Sequence, residues 1–335
     1  MDRVSTGGVG PSGPPPGFRP APTKHPSPSQ RSPLRNLAEF LLVFFVLKSL
    51  EWSPLPLAHR LARGYFRLLD LLLPRLRNIA ARNLAVALPE LSPEKREAII
   101  AGVFRSIARL AVTMAKFPSI QRENIVRWIR FEGYEHFEAA LRAGRGVLFA
   151  TAHLGNWELS AYAHALCAEP MNVVVRPLDN PLLDSLIARR RQLCGNRVIS
   201  KRDPIRPILK ALAANEAVGI LIDQNVSSDA VFVDFFGIPA AAASGFARLA
   251  AHSGAAVIPG FALWSEPERR YVLRFYPPVP ITGDAVRDTQ TIQTVLEGVI
   301  RAYPDQWLWI HRRWKTRPPG ALPVYEVAPV RSNTV

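Results

Sequence analysis

The stretch Gly146-Val-Leu-Phe-Ala-Thr-Ala-His-Leu-Gly-Asn-Trp-Glu158 decides the fold. Its first half is an uncharged, β-rich run of the kind that is buried on both faces of a sheet, and Gly155-Asn156 is a turn signal. From Glu158 to Cys167 the pattern is helical. The same alternation recurs outward along the chain. Met171–Val175, Ala217–Ile222, Ala256–Leu263 and Tyr271–Tyr276 read as strands, and Leu182–Cys194, Pro204–Ala214 and Ser244–His252 read as helices. Apolar strands joined by helical crossovers predict an α/β fold, a mostly parallel central sheet covered by helices on both faces. The last two runs are compatible with an antiparallel pair. This unit is expected to span residues 118–320, and no internal repeat is present.

Upstream the composition changes twice. Residues 1–33 hold nine of the 31 prolines and five glycines, too little apolar surface to offset the entropy of ordering, so a disordered tail is expected over 1–36. Residues 37–117 then read as an N-terminal helical, membrane-associating region. Phe40–Leu47 is an unbroken apolar run, shorter than the roughly 20 residues that cross a bilayer. It lacks a signal-peptide cleavage pattern, which places the chain on the cytoplasmic side. Whether 37–50 inserts or lies in the interface stays open. The next helical stretch, Pro54–Leu73, carries Arg60, Arg63 and Arg67 within about 60° of one another beside a broad leucine surface, a pattern suited to a membrane interface or to a core helix with one solvated stripe. A Ser92-Pro93-Glu94 start signal opens a further helix through Lys116, and a flexible tail is expected over 321–335.

The 335 residues carry a formal net charge of +15, with 35 of the 42 basic residues arginine. An anionic partner follows, either a membrane surface or nucleic acid. Two cysteines, Cys167 and Cys194, are too few for a disulfide framework and read as reduced thiols.

Five residues separate His153 from Glu158, so on one helix they would point about 140° apart. The intervening turn lets His153 end a strand and Glu158 start a helix, where their side chains can converge as a general-base dyad. In such a pair the carboxylate fixes the imidazole tautomer and stabilises the imidazolium. The sequence contains no G-x-S-x-G elbow, zinc helix, C-x-x-C pair, Walker loop or G-x-G-x-x-G. The nucleophile therefore belongs to the substrate, a hydroxyl attacking an activated acyl group, and no metal is expected.

His153-Leu-Gly-Asn-Trp-Glu158 resembles the His-x4-Asp/Glu motif of the glycerolipid acyltransferases, and specifically the form found in the bacterial lipid A biosynthesis (lauroyl/myristoyl) acyltransferases. The resemblance runs from about Leu37 to Lys315. It includes Arg82-Asn83-Leu84, Arg176-Pro177, Asp223-Gln224, Phe235-Phe236-Gly237-Ile238-Pro239-Ala240 and Trp307-Leu-Trp309-Ile-His311-Arg-Arg313-Trp314-Lys315. It implies an enzyme at the cytoplasmic face of the inner membrane, peripheral or monotopic, with no cofactor. Such an enzyme moves an acyl chain from an acyl carrier protein thioester, or from acyl-CoA, onto a hydroxyl of an anionic glycolipid, a lipid A precursor.

Carried over by position, His153 is the base and Glu158 its orienting partner. Arg176, Asn156, Asp223 and Gln224 are the candidates for substrate or oxyanion binding. Arg60, Arg63, Arg67, Arg312, Arg313 and Lys315 are the candidates for contact with anionic lipid or carrier protein, which makes nucleic acid the weaker partner. The turn at Phe236–Pro239 either shapes an acyl channel or packs, and the tryptophans around His311 form either an interfacial belt or a core. Ala240–Ala243 stands where relatives often carry threonines, which puts hydroxyl contacts there in doubt. Two rivals stay open: a phosphatidylinositol-mannoside, aminolipid or other glycolipid acyltransferase using acyl-CoA, and a non-catalytic basic membrane- or nucleic-acid-binding protein.

Overall fold

The strand expected at Gly146–Ala152 sits at the middle of the sheet. The structure is a computed structural model that describes residues 32–325, so residues 1–31 and 326–335, most of the two expected tails, lie outside the described residues. The strands are β1 (Ile129–Glu132), β2 (Val147–Thr151), β3 (Asn172–Val175), β4 (Arg197–Ser200), β5 (Ala217–Leu221), β6 (Ala230–Phe235), β7 (Ile238–Ala243), β8 (Ala256–Ser265) and β9 (Arg270–Phe275). The helices are α1 (Pro33–Trp52), α2 (Leu55–Leu72), α3 (Pro74–Ala87), α4 (Pro93–Lys116), α5 (Tyr134–Arg142), α6 (Trp157–Cys167), α7 (Pro181–Gln192), α8 (Ile205–Ala213), α9 (Gly245–Ser253) and α10 (Ala285–Ala302).

Seven strands form one sheet in the order β1-β9-β8-β2-β5-β3-β4. All neighbours are parallel except β8 and β9, the pair left open by the sequence. Alternation along β2 shows why its run is continuously apolar. Val147 and Phe149 pack with Phe137 of α5 and Leu159 and Tyr162 of α6, whereas Leu148 and Ala150 pack with Ile208 of α8, Phe246 of α9 and Ile292 of α10. Both faces are covered, so neither parity of the strand can be polar. Edge strands β1 and β4 escaped the sequence reading because Arg130, Glu132 and Arg197 interrupt their apolar pattern; on an edge these charges pair outward, Arg130 with Glu132 and Glu268. The β6–β7 hairpin turns at Phe236 and Gly237, both at positive φ (61° and 73°). Phe236 is buried against Trp309, so this is a packed turn.

Helix α1 begins at Pro33, inside the expected tail, because proline suits the first turn of a helix. At the other end Val324 and Tyr325 are held on α3, Arg82 Nε donating to the Val324 carbonyl at 2.9 Å and the Tyr325 hydroxyl to Asn83 Oδ1 at 2.6 Å. The chain through Tyr325 is thus tied down where a flexible tail was expected.

Helix α4 joins the two halves. Pro93–Ser119 is long and apolar enough to cross a membrane, but more than half of its apolar window is buried inside the protein. Its Ala108, Val112 and Ala115 pack with Leu47 and Leu50 of α1 and Ala58 and Ala62 of α2, while Ile100, Val103 and Phe104 share a cluster with Trp307 and Trp309. Arg190 of α7 locks the junction. Its guanidinium donates to the Met114 and Ala115 carbonyls at 3.0 and 2.9 Å, satisfying the end of α4, and pairs with Glu51 of α1. Outward, α1 leaves Leu34, Leu37, Leu41 and Phe45 exposed at helical spacing, and α2 leaves Leu68, Leu71 and Leu72 exposed.

Candidate active site

At the end of β2 the chain leaves the sheet through Ala152–Asn156 and enters α6, whose first turn is capped by Asn156 Oδ1 accepting from Leu159 N–H at 3.0 Å. Three backbone groups of this turn are held by partners outside it. His153 C=O accepts from Leu308 N–H (3.0 Å), Gly155 N–H donates to the Gln306 carbonyl (2.9 Å), and Asn156 N–H donates to the Ala262 carbonyl (2.8 Å). Gly155 sits at φ +63°, and a Cβ there would lie 2.0 Å from the Ala262 oxygen. Only glycine allows so close an approach. Gly155→Ala is expected to destabilise the fold by about 2–4 kcal/mol and to depress activity with it, measured by denaturant unfolding; a wild-type midpoint would contradict this packing.

The imidazole of His153 has its partner in Asp223, just beyond β5. His153 Nδ1 lies 2.9 Å from Asp223 Oδ1, and Asp223 Oδ2 accepts from His153 N–H (3.0 Å) and from Trp307 Nε1–H (2.9 Å). The carboxylate is completely buried. Burial alone would raise its pKa, but His153, His311 and the Trp307 indole outweigh that and hold it far below the usual range, ionised. Burial likewise pushes His153 down, and Asp223 outweighs it with Glu158 assisting and Lys201 opposing, so its pKa lies above the ordinary 6.5. A carboxylate on Nδ1 places the proton there and leaves Nε2 as the basic nitrogen. His153 keeps 17% of its side-chain surface exposed, whereas Asp223 behind it keeps none.

This corrects the expected His153–Glu158 pairing. The start of α6 carries Glu158 towards α7, where Arg191 meets it bidentately, Nε to Oε2 at 2.9 Å and a terminal nitrogen to Oε1 at 2.5 Å. Glu158 acts on His153 through space alone, and the hydrogen-bonded partner is Asp223, which the sequence had assigned to substrate or oxyanion binding.

A family model described as bacterial lipid A biosynthesis acyltransferase matches residues 25–316. The chain belongs to that family. It is 33% identical over 273 residues to the lipid A biosynthesis lauroyltransferase of Escherichia coli K12, covering 80% of this chain and 88% of the relative. It is 31% identical to the palmitoleoyltransferase of the same organism (76% and 83% covered) and 26% identical to a lipid A biosynthesis acyltransferase of Haemophilus influenzae (73% and 77%). As a member of the lipid A acyltransferases, the protein is an O-acyltransferase.

In this acyltransferase an apolar cavity runs between the sheet and α6. Thr151, Leu221, Val175, Trp157, Glu158 and Arg191 line it at the carboxyl ends of the strands, and Phe149, Gly219, Met171 and Phe275 line it deeper. The ring of Trp157, part of that lining, packs edge-on against His153 with ring centroids 5.0 Å apart, so the imidazole lies behind this wall of the cavity. Buried His164 sits among Phe137, Phe149 and Phe275, and burial pushes its pKa down to about 4, a neutral core residue.

The remaining expected site residues disperse. Arg176, three-quarters exposed, turns back on Asp179 at 2.7 Å. Gln224 is exposed, and Asn156 is a buried cap with no surface to offer an oxyanion. Arg313, expected on an anionic surface, is completely buried, donating to the Ala241 carbonyl at 2.6 Å and to Gln293 at 3.3 Å. Ala240, Ala241 and Ala242 are themselves buried, and the contact of this stretch with the guanidinium is through the Ala241 carbonyl. Arg312 lies over the Tyr325 ring, and Lys315 is exposed. Trp307, Trp309 and Trp314 are buried, a core and not an interfacial belt. Sequence reasoning missed Arg191, and it noted Trp307 without the indole's bond to Asp223. The run Arg189-Arg190-Arg191 was visible, but which arginine faces Glu158 depends on how α7 packs.

Proposed function

We propose that this acyltransferase moves a fatty acyl group from an acyl thioester, acyl carrier protein being the favoured donor, to a hydroxyl of an anionic lipid A precursor, with His153 as general base oriented by Asp223. The observation that carries the chemistry is the His153 Nδ1–Asp223 hydrogen bond, which leaves Nε2 as the basic nitrogen of a ring packed against the cavity-lining Trp157. Nε2 takes the acceptor hydroxyl proton as its oxygen attacks the thioester carbonyl. The tetrahedral intermediate then collapses, the C–S bond breaks, and the imidazolium returns the proton to the departing thiolate. Arg191, held by Glu158 at the same end of the cavity, replaces Arg176 as the candidate for stabilising the oxyanion. The uncovered leucines of α1 and α2 support docking on the cytoplasmic leaflet of the inner membrane.

The cavity supports a second element, selection of the acyl chain by depth. Gly219 and Met171 line the deep part together, and a Cβ on Gly219 would meet Met171 Cε at 2.8 Å, so a larger residue there would push the thioether into the cavity. With purified protein in lipid, mass spectrometry of a lipid A precursor offered a series of acyl-carrier and acyl-CoA thioesters should show one acyl chain added. Gly219→Val should cut kcat/KM for the longest accepted chain by about tenfold and spare the shortest, two or three methylenes lost from burial. No transfer from any thioester to this or another hydroxylated glycolipid would overturn the activity. An equal loss for all chains would overturn the assignment of the cavity.

A further inference from the structure

Arginines without carboxylate partners gather on the face of the molecule where α2 crosses α4. Two adjoining cavities of about 650 and 850 Å³ share Arg60, Arg63, Arg105 and Ala108 and form one groove. Arg67 extends it along α2, and Arg269, in the turn between β8 and β9, closes its other side. None of Arg60, Arg63, Arg67, Arg105 or Arg269 makes an ion pair among the described residues, whereas Arg109 and Arg77 beside them are paired, with Glu266 and Asp70. His59, half-buried in the groove, registers the resulting field: burial first, then Arg109, Arg63 and Arg269 hold its imidazole below the ordinary range. Asp305 also lines the groove, but five guanidinium groups facing it outnumber that carboxylate, and such an excess converging on a concavity is a site for an anion with several acceptor oxygens.

The surroundings narrow the source of that anion. On α2 the arginine row is bordered by Leu57, Leu68 and Leu71, which are 44%, 54% and 78% exposed. An acidic protein surface would leave those leucines in water, whereas a lipid places its charge in the groove and its chains against the rim. The far end of the groove is formed by Gln306, whose carbonyl accepts from Gly155 in the turn that carries His153.

We infer that the α2–α4 groove binds the phosphomonoester of a membrane lipid headgroup, with Arg60, Arg63 and Arg105 as its principal donors. This rests on the membrane-facing reading of α1 and α2 and is independent of the acyl-transfer chemistry. The test is co-sedimentation of the full chain with phosphatidylcholine vesicles carrying phosphatidic acid, a phosphomonoester, or phosphatidylglycerol, a phosphodiester, at matched surface charge. Wild type should prefer the phosphatidic acid vesicles. The triple variant Arg60→Gln, Arg63→Gln, Arg105→Gln should lose that binding by about tenfold or more. An equally neutralised control on exposed arginines elsewhere, Arg142→Gln, Arg206→Gln, Arg287→Gln, should lose less than about twofold. Unchanged melting temperatures would establish that the variants are folded. Equal losses for the two triples, no preference between the two lipids, or no vesicle binding at all would overturn the inference. So would tight calorimetric binding of inorganic phosphate without vesicle binding, or loss of binding to an acidic acyl carrier protein with vesicle binding intact.

Discussion

Replacing His153 by alanine is expected to lower kcat/KM for acyl transfer by about 10²–10⁴-fold, the range for loss of a positioned general base. The acceptor hydroxyl is a poor nucleophile near neutral pH, and no other basic side chain shares the Asp223 hydrogen bond that orients the imidazole. Alanine would also strip a donor from a completely buried carboxylate, leaving Trp307 and one backbone N–H to hold it. Unpaired buried charge destabilises proteins, so His153→Gln, which keeps an amide donor, is the companion variant. Loss of activity in both, with a wild-type melting temperature in the glutamine variant, is the expected pattern. Retention of more than a few per cent of activity in either would mean that another group takes the proton.

Asp223→Asn should be nearly as damaging, by about 10³-fold or more, because an amide can present its oxygen or its N–H to Nδ1 and no longer enforces one tautomer. Its distinguishing signature is in the pH dependence. In the native protein Asp223 outweighs burial and raises the His153 pKa. The base form is therefore lost as pH falls through a value above 6.5, and kcat/KM should decline on that acid limb. With asparagine the burial of His153, the largest influence on it, outweighs what Glu158 restores, so the limb moves to lower pH even as the maximum falls. A kcat/KM profile of wild type and variant separates the two effects. A loss of rate with an unmoved acid limb would show that Asp223 is only a packing residue.

The residues carrying this chemistry differ in how legible they were. His153 stood out because it follows a run too apolar to be anything but a buried strand and precedes a turn, a placement that local periodicity settles. The five strands read from the sequence are those buried on both faces; β1 and β4, at the edges, were missed because one side of an edge strand can keep its charges. Asp223 was noticed at the end of such a strand and assigned to substrate or oxyanion binding, whereas it is completely buried and hydrogen-bonded to His153. Seventy residues separate it from His153, and only the pairing of β2 with β5 brings their ends together, Thr151 opposite Leu221. Arg313 was misplaced on the surface for a related reason. A cationic run at the end of a chain usually stays in water, and nothing local shows that Ala241 and Gln293 offer a buried acceptor pair.

The sequence by itself determined the α/β class, the apolar strand that ends at His153, the helix that starts beyond Gly155, the amphipathic α2 with its arginine row, and the family. These depend on interactions within one turn of helix or one strand, so composition and spacing record them. The tertiary structure decided which carboxylate serves His153, which arginine holds Glu158, which tryptophan secures Asp223, and that arginines from α2, α4 and the β8–β9 turn share one groove. Those are contacts between segments from 33 residues apart, Glu158 and Arg191, to about 200 apart, α2 and the β8–β9 turn, and the loop entropy lost in closing them is repaid only by the packing of the whole core. No local pattern in the chain carries their partners' names.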